Sequence, residues 1–262
     1  MQVRLTQSLN LITEDLADET GTAVRDLFGE EREWSTQPLK AHATDLVARL
    51  SSRVFLGSRL CRNERWLQIS KTYTIDVFTT AYLMRAAPAV LRPIVYWLLP
   101  QSKALRQAVR DARAIIEPEL ARRQAAVDAA LAAGEKPPKT ADTLGWMYEY
   151  SVAAAAKQRK DKPVRVDFAA AQISLSMAAI HTTTETLSQA LLDICEYPAV
   201  ADELRAEIVR VLGASGGWTK TALYQLRLMD SFLKEGQRFH PLFAGRASPP
   251  QSSLAYHTSA AR

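Results

Sequence analysis

Two short stretches in the C-terminal third of the chain carry side chains whose types and spacing could do chemistry. The first is Ala178-Ala179-Ile180-His181-Thr182-Thr183-Thr184, inside a long apolar stretch with helical spacing. Three consecutive threonines are unfavourable in a helix interior, because branched side chains lose rotamer freedom and their hydroxyls can bond back to the carbonyl four residues earlier. Two readings account for them. Either the helix widens locally to admit dioxygen, with a hydroxyl and a neighbouring polar side chain relaying protons to it, or the threonines face a polar groove and satisfy one another. The second stretch, 53 residues after Thr182, is Glu235-Gly236-Gln237-Arg238-Phe239-His240-Pro241. Glutamate and arginine three apart on a helix meet readily, and Glu119/Arg122 and Glu207/Arg210 share that spacing. Those two pairs lie in highly charged segments and read as solvated. Glu235/Arg238 sits between Phe232-Leu233 and Phe239-His240-Pro241, and that apolar company predicts a buried pair.

Other chemistries lack their residues. His42, His181, His240 and His257 show no HExxH or paired metal-ligand spacing, so the reading of a metal site is none. There is no phosphate-binding glycine loop, no G-x-S-x-G elbow and no aspartate-rich motif of a terpene cyclase. A net charge of +5 over 262 residues is modest, and basic residues alternate with acids, as in Arg106 to Arg123, so no nucleic-acid face is expected. Cys61 and Cys195 are the two cysteines; far apart, they argue against a disulfide framework and for a reducing, intracellular setting. The start, Met1 to Asn10, lacks the apolar run of a signal peptide or anchor.

The elements that must position these residues are helical. Glycine is scarce, and apolar residues recur at three- and four-residue spacing with no alternating strand pattern, which predicts a mainly α protein. Asp45 to Leu60 reads as an amphipathic helix ending near Gly57, and Trp66 to Met84 as a second. Tyr82 to Pro100 is apolar but broken by Arg85, Arg92 and three prolines, so it fits a buried or surface-lying helix better than a membrane span. Ser102 to Ala133 is a long charged helix with Pro118 as a kink or break, and Gly134 to Thr140 is a linker. Asp142 caps the next segment, and a basic loop, Lys157 to Arg165, follows it. The helix bearing the threonines runs from an Asp167 N-cap to Tyr197 before Pro198, roughly 45 Å at 1.5 Å per residue, and so is expected to be central. Pro198 to Leu212 and Leu223 to His240 are the last two helices.

On these residues the chain resembles the cytochrome P-450 superfamily, more narrowly its fungal members of secondary metabolism. The family's central helix carries A/G-G-x-D/E-T-T, and Ala178-Ala179-Ile180-His181-Thr182-Thr183 is similar to a fungal form with histidine at the acidic position. Asp142-x-Leu-x-Trp146-Met147 and Leu60-Cys61-Arg62-Asn63-Glu64-x-Trp66 add to the likeness. The resemblance implies haem as cofactor, Thr182 as the oxygen-activating residue with His181 as relay partner, Ala178 and Thr182 beside the haem, and Glu235/Arg238 as the structural pair that helps hold the haem-ligand loop. It implies a monooxygenase acting on a small lipophilic secondary metabolite such as a terpenoid, an NADPH-dependent flavin reductase as partner, and a place at the endoplasmic reticulum membrane, with Tyr82 to Pro100 able to rest on a bilayer surface. The fold implied is a partial one, about helices D to K over residues 1–247, followed by a low-complexity tail, 248–262, expected to be disordered. The family's ligand motif, F-x-x-G-x-R-x-C-x-G, lies downstream of Glu-x-x-Arg, yet no cysteine follows Arg238 here. Phe55 to Cys61 mimics part of that motif in the wrong order, and both cysteines read as buried helical thiols. The expectation is therefore a chain truncated at both ends and inactive as given, the alternative being a non-catalytic helical remnant or interaction protein.

Overall fold

A computed structural model describes residues 9–30, 33, 35–138, 140–157 and 166–242. The expected tail, 248–262, and the loop 158–165 fall outside the described residues. Among the described residues ten α-helices follow one another: α1 Leu9–Phe28, α2 Leu39–Leu56, α3 Glu64–Ala86, α4 Arg92–Leu98, α5 Pro100–Ala132, α6 Thr143–Lys157, α7 Phe168–Glu196, α8 Pro198–Ser215, α9 Lys220–Gln225 and α10 Arg227–Phe239, with a short 3-10 turn at Ala89–Leu91. No strand occurs among the described residues. The fold is the mainly helical one that the spacing predicts.

Local chemistry sets most of the boundaries. Asp167 accepts the Ala170 N–H at 3.1 Å and starts α7, and Pro198 at the first turn of α8 needs no donor there. Gly57 ends α2 with φ +84°, and a Cβ there would stand 2.6 Å from Asp142 Oδ2, so glycine is required twice over. Asp142 caps α6 through the Gly145 N–H at 2.8 Å.

Two boundaries differ from expectation. Pro118 does not break α5, which runs through it; Pro118 and Ala114, whose carbonyl loses its donor, are both exposed to solvent, and water can take the place of the missing N–H. The single helix expected over Leu223 to His240 is two, because the chain turns at Leu226 (φ −77°, ψ 67°), whose side chain is buried against Val211 and Ala222.

The main core joins Leu56, Trp66, Ile69, Ala112, Ile116, Leu144, Ala169 and Ile173, drawn from α2, α3, α5, α6 and α7. Trp66 satisfies its indole N–H on Ser52 Oγ at 3.0 Å, which lets so large a side chain be fully buried. α7 touches α2, α3, α5, α6, α8 and α10, the central position its length predicts.

Three buried carboxylates tie the elements together. Glu19 on α1 receives Arg49 of α2 at 2.8 Å and Arg62 at 2.8 Å, with the Cys61 thiol beside it. Glu119 on α5 receives Arg122 at 2.6 Å and Arg123 at 2.8 Å, and Arg123 continues to Asp142 and to the Leu56 carbonyl. Glu207 on α8 turns to α10. The solvated reading of Glu119 and Glu207 is thus corrected: their side chains point inward, where a lone carboxylate would be costly and each finds donors.

The Arg122 hydrogen bond, against the cost of burial and with help from Arg123, holds the Glu119 carboxyl at about 2. A depressed pKa contributes stability that is fully present above the ordinary value near 4.5 and is lost as pH falls toward 2. Glu119→Gln should therefore melt below the native chain at neutral pH, with the gap closing as pH drops through that window. Thermal melts by circular dichroism between pH 7 and pH 2 check this, and parallel profiles would contradict it.

Candidate functional site

α7 has two unlike faces. Ala169, Ile173, Ser176, Ile180, Thr184 and Ser188 are buried, a row that recurs at three, four and seven residues and packs toward α2 and α3. Ser174 and Ala178 are exposed, and Thr182 and Thr186 partly so, on a second row four residues apart. The threonine triplet is divided by this geometry: Thr182 is half-buried on the open row, Thr183 is exposed and Thr184 is fully buried.

Each candidate side chain has a definite place. The Thr182 hydroxyl donates back to the Ala178 carbonyl at 2.8 Å and lies 3.2 Å from that of Ala179, so Thr182 and Ala178 meet. α7 is α-helical throughout the triplet, without the local widening of the first reading, and among the described residues no hydrogen bond joins one hydroxyl of the triplet to another, as the second would require. The hydroxyl satisfies itself on its own backbone. His181 turns another way: its Nε2 lies 3.1 Å from the Lys71 carbonyl of α3. A carbonyl only accepts, so Nε2 carries the proton and His181 ties α7 to α3. Lys71 itself reaches Asp45 of α2 at 2.6 Å, so three helices join within a few residues of Thr182.

Glu235 and Arg238 do bond to each other, bidentately, at 2.7 and 2.8 Å. The Arg238 hydrogen bond keeps the Glu235 carboxyl below its ordinary range. The expectation of a buried pair is corrected, since the two side chains are 56% and 63% exposed. α10 turns only Met229, Phe232 and Gly236 inward, and Glu235 and Arg238 fall off that stripe. Arg238 instead lies over the Phe239 ring, 4.0 Å from its centroid. α10 rests on α7 near Asp193, where a Cβ at Gly236 would stand 3.4 Å from Asp193 Oδ2. Asp193 is eleven residues beyond Thr182, roughly 16 Å along the axis, so α10 and its pair rest on α7 well away from the threonine.

Between α7 and α10 a cleft of about 310 Å³ is lined by Thr186, Gln189, Asp193, Leu233, Gly236 and His240. Thr186 and Gln189 stand one and two turns past Thr182, so the cleft continues the open side of α7. No family of spacings in the sequence announces Lys71, Asp45 or Asp193, because each owes its place to a neighbouring helix. Among the described residues no group of three His, Cys, Asp or Glu side chains could hold a metal ion.

The Cytochrome P450 family model matches residues 4–247. The chain is 44% identical over 240 residues to the cytochrome P450 monooxygenase bsc11 of Alternaria brassicicola, covering 92% of this chain and 45% of that protein. It is 38% identical to cytochrome P450 monooygenase 1 of Gibberella fujikuroi, over 91% of this chain and 52% of the relative. It is also 38% identical to the dihydromonacolin L monooxygenase LovA of Aspergillus terreus, over 87% of this chain and 41% of the relative. The chain thus spans about half the length of the curated relatives it matches.

Removing the His181 ring should cost about 1 kcal/mol, the net value of one hydrogen bond, while Thr182→Val, which removes a hydroxyl bonded within its own helix, should stay within about 0.5 kcal/mol of the native chain. Urea unfolding of His181→Ala and Thr182→Val checks this, and the opposite ranking would contradict the placement of the two side chains.

Proposed function

The chain belongs to the cytochrome P450 family, and from that premise we propose that the whole protein is a haem-dependent monooxygenase that oxidises a small lipophilic secondary metabolite, a terpenoid or related compound. The observation that carries this reading is the open row of α7, where an exposed Ala178 and a half-buried Thr182 lie one turn apart. A planar cofactor fits there because alanine projects a single methyl and the threonine hydroxyl is already folded back on its helix. The relative named as a dihydromonacolin L monooxygenase supports a small-molecule substrate.

When bound, haem would supply the reduction and cleavage of dioxygen, with Ala178 and Thr182 the residues of this chain that would stand beside it. The residues of this chain hold and move protons around that site. Thr182 offers a hydroxyl that can leave the Ala178 carbonyl to donate outward. His181 is its relay partner through Nδ1, the ring nitrogen that Lys71 does not engage. Glu235 and Arg238 brace the segment that follows α10. Electrons come from an NADPH-dependent flavin reductase. Phe78, Tyr82, Val90, Ile94, Trp97 and Leu98 are exposed around α4 and give the protein an apolar surface for a bilayer at the endoplasmic reticulum. Among the described residues no helix is long and apolar enough to cross a membrane.

The haem's thiolate ligand does not come from these residues. Cys61 is fully buried beside Glu19, and burial pushes its thiol above the ordinary range. Cys195 is exposed on α7, which corrects the reading of a buried thiol, and no cysteine follows Arg238 in the 262 residues. On this reading these residues alone do not act as an oxygenase. The reduced, carbon-monoxide-treated chain should lack the red-shifted Soret band of thiolate-ligated haem, and its appearance would refute this. A longer form encoding the cysteine loop after α10 should show the band, and failure there would contradict the monooxygenase reading and favour a non-catalytic helical protein.

A further inference from the structure

α10 is a helix with little to hold it. None of its residues is fully buried, and Leu226, at its N-cap, supplies no side-chain acceptor. The first turn of any helix leaves N–H groups without intrahelical partners. Here two of them are answered from another element: Leu228 N–H donates to Glu207 Oε1 at 2.9 Å and Met229 N–H to Oε2 at 3.0 Å. Glu207 lies on α8 and is 8% exposed, on the face that also buries Leu204 and Val211. One carboxylate, with one oxygen for each donor, thus caps a helix that is not its own. Its negative charge also stands at the positive end of the α10 dipole. The Leu228 N–H foremost, against burial and with help from Met229, keeps that carboxyl below its ordinary range.

Leu226 and Met229 pack on Val211 and Ile208, but apolar contact allows rotation and sliding that a two-point hydrogen bond forbids. At the far end of α10, Gly236 passes close to Asp193, and the His240 ring stands 3.9 Å from the same carboxylate.

We propose that Glu207 is a positioning residue: by capping α10 from α8 it fixes the angle and register of the helix that carries Glu235 and Arg238. The proposal rests on the reading of that pair as the brace of the haem-ligand loop, and it assigns the pair's placement to a carboxylate 28 residues earlier in the chain.

Hydrogen exchange of the full chain, resolved by mass spectrometry, tests it with Glu207→Ala, Glu207→Gln and Arg238→Ala. In Glu207→Ala the amides of 228–239 should exchange about tenfold faster or more, as expected for losing hydrogen bonds to a charged acceptor. Those of α2, α3 and α7 should be unchanged. Glu207→Gln keeps one acceptor oxygen and should fall between the two, and it decides the matter if the alanine variant does not fold. Unchanged exchange in α10, or an equal rise through every helix, would overturn the proposal, the latter because it marks a merely structural residue. Arg238→Ala should leave the Leu228 and Met229 amides protected. The bracing role fails separately: a longer, haem-loaded form carrying Arg238→Ala would then retain its haem while the Glu207 result stood.

Discussion

Burial of one side of α7 is the constraint on which the rest of this structure depends. Ile173 and Ile180 are almost wholly removed from water, and the small side chains of Ala169, Ser176, Thr184 and Ser188 let α2 and α3 approach closely along the same row. Each residue on an α-helix is turned about 100° from the last. Once that row is committed to the core, Ser174, Ala178 and Thr182 have nowhere to go but the opposite side. The place of Thr182 is therefore a consequence of packing, and the core need not touch the threonine to determine it.

The helices around α7 are held at their junctions by charge. Glu19 joins α1 to α2 and to the turn at Arg62, Glu119 joins α5 through Arg123 to the start of α6 and the end of α2, and Glu207 joins α8 to α10. Apolar burial turns a helix face inward but is itself non-directional, and ridge-into-groove packing still leaves more than one crossing angle open. A buried carboxylate selects among them, because leaving it or its partner unmatched costs several kcal/mol. The two kinds of interaction have separate roles, in that α7 gathers the bundle and the carboxylates orient what surrounds it.

Much of this was legible in the chain itself. Asp167 and Pro198 mark the limits of α7, and Asp142 and Gly57 mark caps. What could not be read was partner choice across helices. Spacing of three says that Glu119 can meet Arg122, and it does, but the same spacing cannot say that Glu119 is buried or that Glu207 turns from Arg210 to two backbone N–H groups. The exposed Glu235/Arg238 pair misled in the other direction, since of its apolar neighbours only Phe232 turns toward the core, while Leu233 and Phe239 are exposed themselves. Pro118 and the turn at Leu226 depended on solvent access and on packing against Val211. His181 is the instructive case: its position beside Thr182 is visible in sequence, while its bond to the Lys71 carbonyl exists only because α3 crosses α7 there.

The central claim, that the Ala178–Thr182 edge is the open side of α7, has a direct measurement. Single cysteines placed at 178, 180 and 184 in a Cys195→Ser background, with Cys61 left buried, can be timed against a water-soluble maleimide under native conditions. The account predicts that the thiol at 178 reacts like an exposed one, while those at 180 and 184 react only as fast as the chain unfolds. Protection at 178 with ready reaction at 180 or 184 would show that the helix faces the other way.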